Sequence, residues 1–242
     1  LDYAYAGDSL GNFYRFDLTS SNYADWSVTK IFEAVYDNAG VDELQPIYNR
    51  PLVIEHPTEE DGYIVIFASG SYITVSDRTD DAIQTIFGIW DRLGPVLITR
   101  DNLIEQQYTN VIDPEFGNVR LLSSNDVPYS VADGVLGWYN DLDAVPAGET
   151  QTTLASDAEF PGEKAIRNIQ LRGGLTFVNS VIPRQETSCT STAGGFALAF
   201  CPGTGGTNCL GTSGIFDLNN DGLFNSEDQV SGSVVAGTRF ED

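Results

Sequence analysis

Residues 217–228, which read DLNNDGLFNSED, carry oxygen-bearing side chains at the spacing of a twelve-residue calcium loop. These side chains fall at positions 1, 3, 5, 9 and 12, which are Asp217, Asn219, Asp221, Asn225 and Asp228. A chain that winds around a cation turns every second side chain inward. Gly222 at position 6 permits the sharp turn that brings the Leu223 carbonyl toward the ion. The spacing predicts a Ca2+ site built from these five side chains and that carbonyl.

The sequence around this loop departs from a complete helix–loop–helix hand. Position 12 is Asp228, one methylene shorter than the usual bidentate Glu, and such loops resemble the Asp-ending calcium loops of dockerin repeats. The preceding residues 211–216 contain glycines that disfavour a helix. We therefore expect an EF-hand-like loop without full flanking helices. The alternative is a surface turn rich in Asn, Asp and Gly that binds no metal.

Composition limits the classes of function. The chain has 242 residues and a formal net charge of −23, so it lacks the basic surface that nucleic acid or an acidic membrane requires. Its hydrophobic content of 41% is typical of a globular protein, and no apolar run is long enough to span a membrane. We expect one domain over residues 1–242, excised or processed from a longer polypeptide.

The three cysteines, Cys189, Cys201 and Cys209, lie in one region rich in Gly, Thr and Ser. No zinc-ligand spacing is present, and His56 is the single histidine. This clustering favours an oxidising compartment, where Cys201 and Cys209 could close a short loop and leave Cys189 unpaired or paired elsewhere. Three free thiols are the alternative.

Short strand-like runs dominate the rest of the chain, and no long window keeps a helical period. These runs lie at 3–7, 12–17, 26–32, 52–55, 63–68, 72–75, 85–90, 96–99, 105–108, 119–122, 137–140, 165–171, 175–180 and 196–200. Residues 123–134 and 143–162 are long connections rich in Pro, Asp, Gly and Ser. The pattern predicts an all-β sandwich, barrel or propeller, although no clean internal repeat is visible.

Collinear motifs supply a family resemblance. Residues 3–18 read YAYAGDSLGNFYRFDL, and QPI at 45–47, VIFASGSYI at 65–73, FGIWD at 87–91, GWY at 137–139 and VIP at 181–183 follow in order. This series resembles the C-terminal region of the PilC/PilY family, the tip-associated proteins of bacterial type IV pili. The segment VIFASGSYI departs from the family's usual glycine-rich form at Ala68 and Ser69.

The resemblance implies that the chain is the later portion of a modified, partial β-propeller with long loops. It also implies an extracellular protein at the pilus tip or outer cell surface. Such a protein acts in pilus assembly, in adhesion to host or abiotic surfaces, and in calcium-dependent control of extension and retraction. Minor pilins are the implied partners. Asp2 would be the last ligand of a second calcium loop whose other residues lie before this sequence.

Two alternatives remain at this point. The hairpin at 3–17 is similar to blades of quinoprotein dehydrogenases, and a secreted structural or carbohydrate-binding module could carry a dockerin-like loop. We expect no catalytic or cofactor-binding residues. Asp8 and Asp17 are expected to cap turns, and Trp90 and Trp138 to be core anchors. The acidic runs at 59–61 and 77–81 are expected to be solvated turns, and His56 a surface or packed loop residue.

Overall fold

The computed structural model describes residues 2–58, 60–146, 148, 160–183, 194–210 and 214–241. Within these ranges the chain forms β-strands and short 3-10 helices but no α-helix. The all-β prediction is therefore confirmed. The strands are Tyr3–Gly7 (β1), Asn12–Asp17 (β2), Ser27–Glu33 (β3), Val35–Asn38 (β4), Val41–Leu44 (β5), Leu52–Glu55 (β6), Tyr63–Ala68 (β7), Thr85–Asp91 (β8), Ile104–Gln106 (β9), Tyr108–Asp113 (β10), Gly117–Leu122 (β11), Gly137–Asp141 (β12), Val145–Pro146 (β13), Gln170–Arg172 (β14), Leu175–Asn179 (β15), Gly194–Phe200 (β16), Gln229–Val230 (β17) and Ser233–Glu241 (β18).

Three sheets and one separate hairpin organise these strands. The first sheet has the order β1-β2-β3, and the second has the order β6-β7-β8-β12-β9. The third sheet has the order β13-β10-β11-β18-β16-β15-β14, with β17 paired to β18. Strands β4 and β5 form the separate hairpin. Neighbouring strands are antiparallel except for the β9–β12 and β10–β13 pairs.

Sequence pattern explains where each strand lies. Strand β2 alternates buried and half-buried positions, as expected when one sheet face meets the core. Strands β7 and β8 are buried almost throughout and read as continuous apolar runs, so the middle of the second sheet is covered on both faces.

Aromatic side chains join the three sheets into one core. Phe13 of the first sheet stacks on Phe67 of the second, with ring centroids 3.9 Å apart. Trp138 of the second sheet meets the edge of Phe200 in the third sheet at 5.4 Å. All four side chains are fully buried in a single hydrophobic cluster. Because aromatic rings bury large areas, these contacts fix the mutual placement of the sheets.

The 3–17 hairpin and most central strands were predicted within a residue or two, but other predictions were wrong. Residues 72–75 form no strand, because the Asp77 carboxylate accepts the Ile73 and Thr74 amides in a tight turn. Residues 96–99 contribute only an isolated bridge from Ile98. Strand β14 covers only the end of the predicted 165–171 run. Strand β18 was missed because Gly237, packed against Leu198, interrupts its alternation.

The disulfide between Cys201 and Cys209 is present and closes a short loop after β16. Gly205 of this loop lies directly on the Trp138 ring, where a β-carbon would approach within 2.3 Å. The cross-link therefore holds a cap over the contact between the second and third sheets. Cys189 lies outside the described residues.

Candidate metal centre

The 217–228 loop is anchored on the third sheet by the apolar residues that flank its first ligand. Phe216 and Leu218 pack against a buried cluster of Val119, Val230 and Val235. These three valines belong to β11, β17 and β18. These contacts on either side of Asp217 hold the start of the loop against the third sheet.

The loop turns sharply at two residues with left-handed backbone. Asn220 has φ of 59° and Gly222 has φ of 81°, a conformation that glycine adopts without steric cost and asparagine tolerates. The turn brings the amides of Asp221 and Gly222 to the two carboxylate oxygens of Asp217, at 3.1 and 3.0 Å. Position 1 is therefore tied to positions 5 and 6 by direct hydrogen bonds.

The asparagines at positions 3 and 9 extend this network. The Asn219 Oδ1 accepts the Asp221 amide at 3.0 Å, while its Nδ2 donates to Asp221 and Glu227 carboxylates at 3.3 and 3.4 Å. The Asn225 Oδ1 accepts the Glu227 amide at 2.6 Å and caps the short 3-10 helix Ser226–Asp228. Glu227, which the spacing did not assign as a ligand, thus lies beside positions 3 and 5.

Asp228, at position 12, is the buried member of the set, with 1% of its surface exposed. Its two oxygens accept the Leu218 amide at 2.7 Å and the Asn225 amide at 3.0 Å. These bonds, above all the one from Asn225, hold the pKa of Asp228 below its usual range. Gly214 packs so closely that a β-carbon would approach Asp228 Cβ within 2.7 Å. The last carboxylate is thus ionised and fixed in place.

The loop fits a calcium ion in its donor set and in its charge. It offers only oxygen donors. No Lys or Arg occurs between Arg184 and Arg239 in the sequence, so no basic residue close in sequence neutralises its carboxylates. Among the described residues, no three His, Cys, Asp or Glu side chains form a group that could hold a metal. An ion would therefore also need oxygens from the asparagine side chains and from the main chain. The predicted ligand set includes both kinds. The six-ligand calcium site stays a prediction.

Carboxylates that were expected to cap turns do so. The Asp8 Oδ1 accepts the Leu10 and Asn12 amides, and the Asp17 Oδ1 accepts the Thr19 amide. These aspartates are engaged by their own turns and offer no catalytic pair.

In the 77–81 run, Asp80 receives a salt bridge from the buried Lys164 ammonium at 3.0 Å. Asp77 accepts several hydrogen bonds, and the Thr74 amide is the main cause of its lowered pKa. Within the 59–61 run, residue 59 lies outside the described residues. Asp77 thus stabilises its own turn, whereas Asp80 also serves as the counter-charge of a buried lysine.

The predicted core tryptophans are confirmed. Trp90 and Trp138 are 3% and 0% exposed. His56 is buried against the Trp90 and Tyr129 rings, each with a centroid distance of 4.6 Å. Burial lowers the pKa of His56 and favours its neutral form. None of these rings forms an open stacking surface.

Comparison with known proteins agrees with the early motifs. A family model described as the PilY1 beta-propeller domain matches residues 1–116. The crystal structure of the Pseudomonas aeruginosa PilY1 C-terminal domain superposes with a TM-score of 0.76 at 27% identity, and the match covers 100% of this chain and 52% of that one. The chain belongs to the PilC/PilY family. Its sheets, which are open in the part of the chain that the structure describes, are accordingly part of a β-propeller.

The curated relatives of this PilC/PilY chain are named as type IV pilus biogenesis factors. The Type IV pilus biogenesis factor PilY1 of Pseudomonas aeruginosa strain UCBPP-PA14 is 29% identical over 272 residues, covering 97% of this chain and 22% of that protein. A PilY1 homolog of Xylella fastidiosa is 30% identical, covering 98% of this chain and 17% of its own length. The chain thus spans about a fifth of the curated relatives it matches. Within the described ranges, no helix has the length and apolar character to cross a membrane.

Proposed function

We propose that this chain is a non-enzymatic, calcium-binding portion of an extracellular type IV pilus biogenesis factor. Support comes from the name shared by its relatives and from the fold that it shares with the PilY1 C-terminal domain. The observation that carries the calcium assignment is the 217–228 loop, whose oxygen ligands are already drawn together by backbone hydrogen bonds.

The proposed ion is held by the carboxylates of Asp217, Asp221 and Asp228, by the amide oxygens of Asn219 and Asn225, and by the Leu223 carbonyl. It neutralises carboxylates that otherwise repel one another at short range. The loop continues directly into β17, and its first turn is anchored on the third sheet. Calcium would therefore stiffen one end of that sheet, where the chain can contact minor pilins or a surface.

The position of the tryptophans favours this non-enzymatic role over a quinoprotein enzyme. Trp90 and Trp138 are core residues, so neither ring presents an exposed face on which a cofactor could stack. The third tryptophan, Trp26, is half exposed and donates its indole N–H to the Ser20 carbonyl in a local turn. The aspartates of the 3–17 hairpin are likewise occupied by backbone amides.

Calorimetric titration with calcium tests the metal assignment. We expect wild-type protein to bind one ion at the loop and Asp221→Ala to lose that binding, because position 5 is central to the ligand set. Asp42→Ala, which removes an exposed aspartate of β5, is the matched control and should bind as the wild type does. Equal binding by wild type and Asp221→Ala would refute the site.

The pilus role needs a cellular test with the full-length protein. Cells that carry Asp221→Ala should assemble surface pili with an altered response to calcium depletion, and their minor pilins should be captured less well in calcium. Normal piliation, adhesion and calcium response in that strain would contradict the proposed control of extension and retraction. Loss of pili in both the variant and the Asp42→Ala control would indicate misfolding instead.

A further inference from the structure

An open groove of about 1060 Å³ lies on one face of the β14–β15 hairpin, beside the calcium loop. Its floor follows strand alternation: Gln170 pairs with Phe177 and Arg172 pairs with Leu175, and all four side chains line the groove. The rest of the lining consists of residues 166–168 and 214–215, Gly173, Asn179 and Phe224. We call this feature the arginine groove.

The arginine groove carries positive charge on a strongly negative chain. Among the described residues, salt bridges engage Arg15, Lys30, Arg100, Arg120 and Lys164. Arg167 and Arg172 are exposed, and neither makes a salt bridge with any residue that the structure describes. On a chain of net charge −23, two free guanidinium groups in one groove favour an anionic ligand.

The same groove is partly apolar. Leu175 and Phe177 are half buried, and Phe224 is 57% exposed although it is a large aromatic side chain. Exposed aromatic and aliphatic surface next to arginines is the composition that protein interfaces favour. A ligand for this site must therefore offer apolar groups as well as negative charge, which a simple inorganic anion does not.

The strand edge next to the groove favours a peptide as the ligand. Among the residues that the structure describes, strand β14 is the last strand of the third sheet. Its two-residue turn at Gly173 and Gly174 makes Arg172 and Leu175 the closing pair, which exchange both backbone hydrogen bonds in such hairpins. The backbone groups of the next residue, Leu171, therefore point outward and can pair with an added strand.

We propose that the arginine groove binds an extended acidic segment of a partner protein in which carboxylate and apolar side chains alternate at every second residue, so that both kinds face the groove. The carboxylates pair with Arg167 and Arg172, and the apolar side chains pack on Leu175, Phe177 and Phe224. The groove amides of Asn168, Gln170 and Asn179 provide hydrogen bonds for the peptide backbone.

The calcium loop contributes part of this groove. Phe224 is position 8 of the loop, and residues 214–215 precede the loop with one residue, Phe216, between them. If the proposed calcium site holds, calcium fixes Phe224 and should tighten peptide binding, since less conformational entropy is lost on docking. This coupling rests on the proposed function, whereas peptide binding itself does not.

Fluorescence anisotropy tests the proposal with a labelled twelve-residue Val–Glu peptide, in which Val and Glu alternate at every second position with Ser between them. We expect saturable binding that weakens with salt, and a loss of affinity of about tenfold or more in Arg167→Glu/Arg172→Glu. Arg78→Glu changes an exposed arginine outside the groove and should leave the affinity within about twofold. The matching Val–Lys peptide should not bind.

Each other outcome overturns a distinct part of the account. No binding of the Val–Glu peptide, or an equal loss in Arg78→Glu, would refute the groove. Binding only to vesicles of phosphatidylglycerol would reassign it to a lipid surface and refute the peptide. If peptide affinity is the same in calcium, in EGTA and in Asp221→Ala, the groove is supported as a peptide site, but its coupling to the calcium loop is refuted. Calcium binding without peptide binding would leave the proposed function intact.

Discussion

Two regions of the third sheet hold carboxylates in opposite ways. In the core, Glu163 forms two hydrogen bonds with the Arg120 guanidinium, at 2.9 and 2.6 Å, and both side chains are fully buried. At the sheet's end, the half-buried Asp217 and the exposed Asp221 accept hydrogen bonds from amide groups and not from a basic side chain. In the core, the Arg120 charge balances the Glu163 charge, whereas the 217–228 sequence contains no basic residue to balance its carboxylates.

This difference separates a structural charge from a binding charge. Arg120 also donates to Asn110 at 2.8 Å and lies 3.7 Å from the centre of the Phe196 ring, so each part of the guanidinium has a partner. A buried pair that is this complete resists change. The loop keeps its backbone shape through amide hydrogen bonds, and under the proposed calcium binding a cation neutralises its negative charge.

The largest expected effect is at the buried pair. Glu163→Gln leaves the Arg120 charge buried against a neutral amide, and we expect a loss of about 3 kcal/mol or more in the free energy of unfolding. Urea denaturation measures it. Glu33→Gln, which removes a half-exposed partner of Lys30, is the control and should cost less than about 1 kcal/mol. Similar losses in both variants would contradict the contrast between buried and exposed pairs.

The second largest expected effect is the gain in free energy of unfolding when calcium binds the loop. At a calcium concentration one hundred times the dissociation constant, we expect about 2.7 kcal/mol of added stability. Thermal unfolding in calcium and in EGTA measures this, and Asp221→Ala should remove it. Magnesium serves as a further control, because it keeps its water shell and demands octahedral geometry. An unchanged melting temperature in calcium would contradict the site.

Gly222→Ala tests the turn itself. With φ of 81° at this position, a β-carbon should cost about 1 kcal/mol of stability and weaken calcium binding. The control is Gly94→Ala, because Gly94 has ordinary φ and open space around its α-carbon. If Gly222→Ala binds calcium as well as wild type, the sharp turn is not required.

The smallest effect concerns pH. Backbone hydrogen bonds lower the pKa of Asp228, so its stabilising contribution is present above the unfolded pKa of about 3.9 and is lost as pH falls through the lower folded pKa. Asp228→Asn should therefore flatten the decline in melting temperature below about pH 4, measured without calcium. A decline as steep as that of wild type would indicate that other carboxylates control acid unfolding.

Sequence alone predicted the local elements better than the long-range contacts. The loop spacing, the first hairpin and the strands β6 and β7 depend on neighbouring residues, which patterns of alternation and glycine reveal. The pairing of Arg120 with Glu163 joins residues 43 positions apart, and no local pattern shows it. The arginine groove was missed for the same reason, because it combines β14, β15 and the loop. Strand β18 escaped because Gly237 breaks its apolar alternation.

A crystal structure determined in millimolar calcium, with anomalous scattering to identify the ion, would show whether the 217–228 loop holds calcium. We expect one calcium at about 2.3–2.6 Å from oxygens of Asp217, Asn219, Asp221, Leu223, Asn225 and Asp228. Density for no ion, with Asp217 and Asp228 still bonded only to backbone amides, would contradict it.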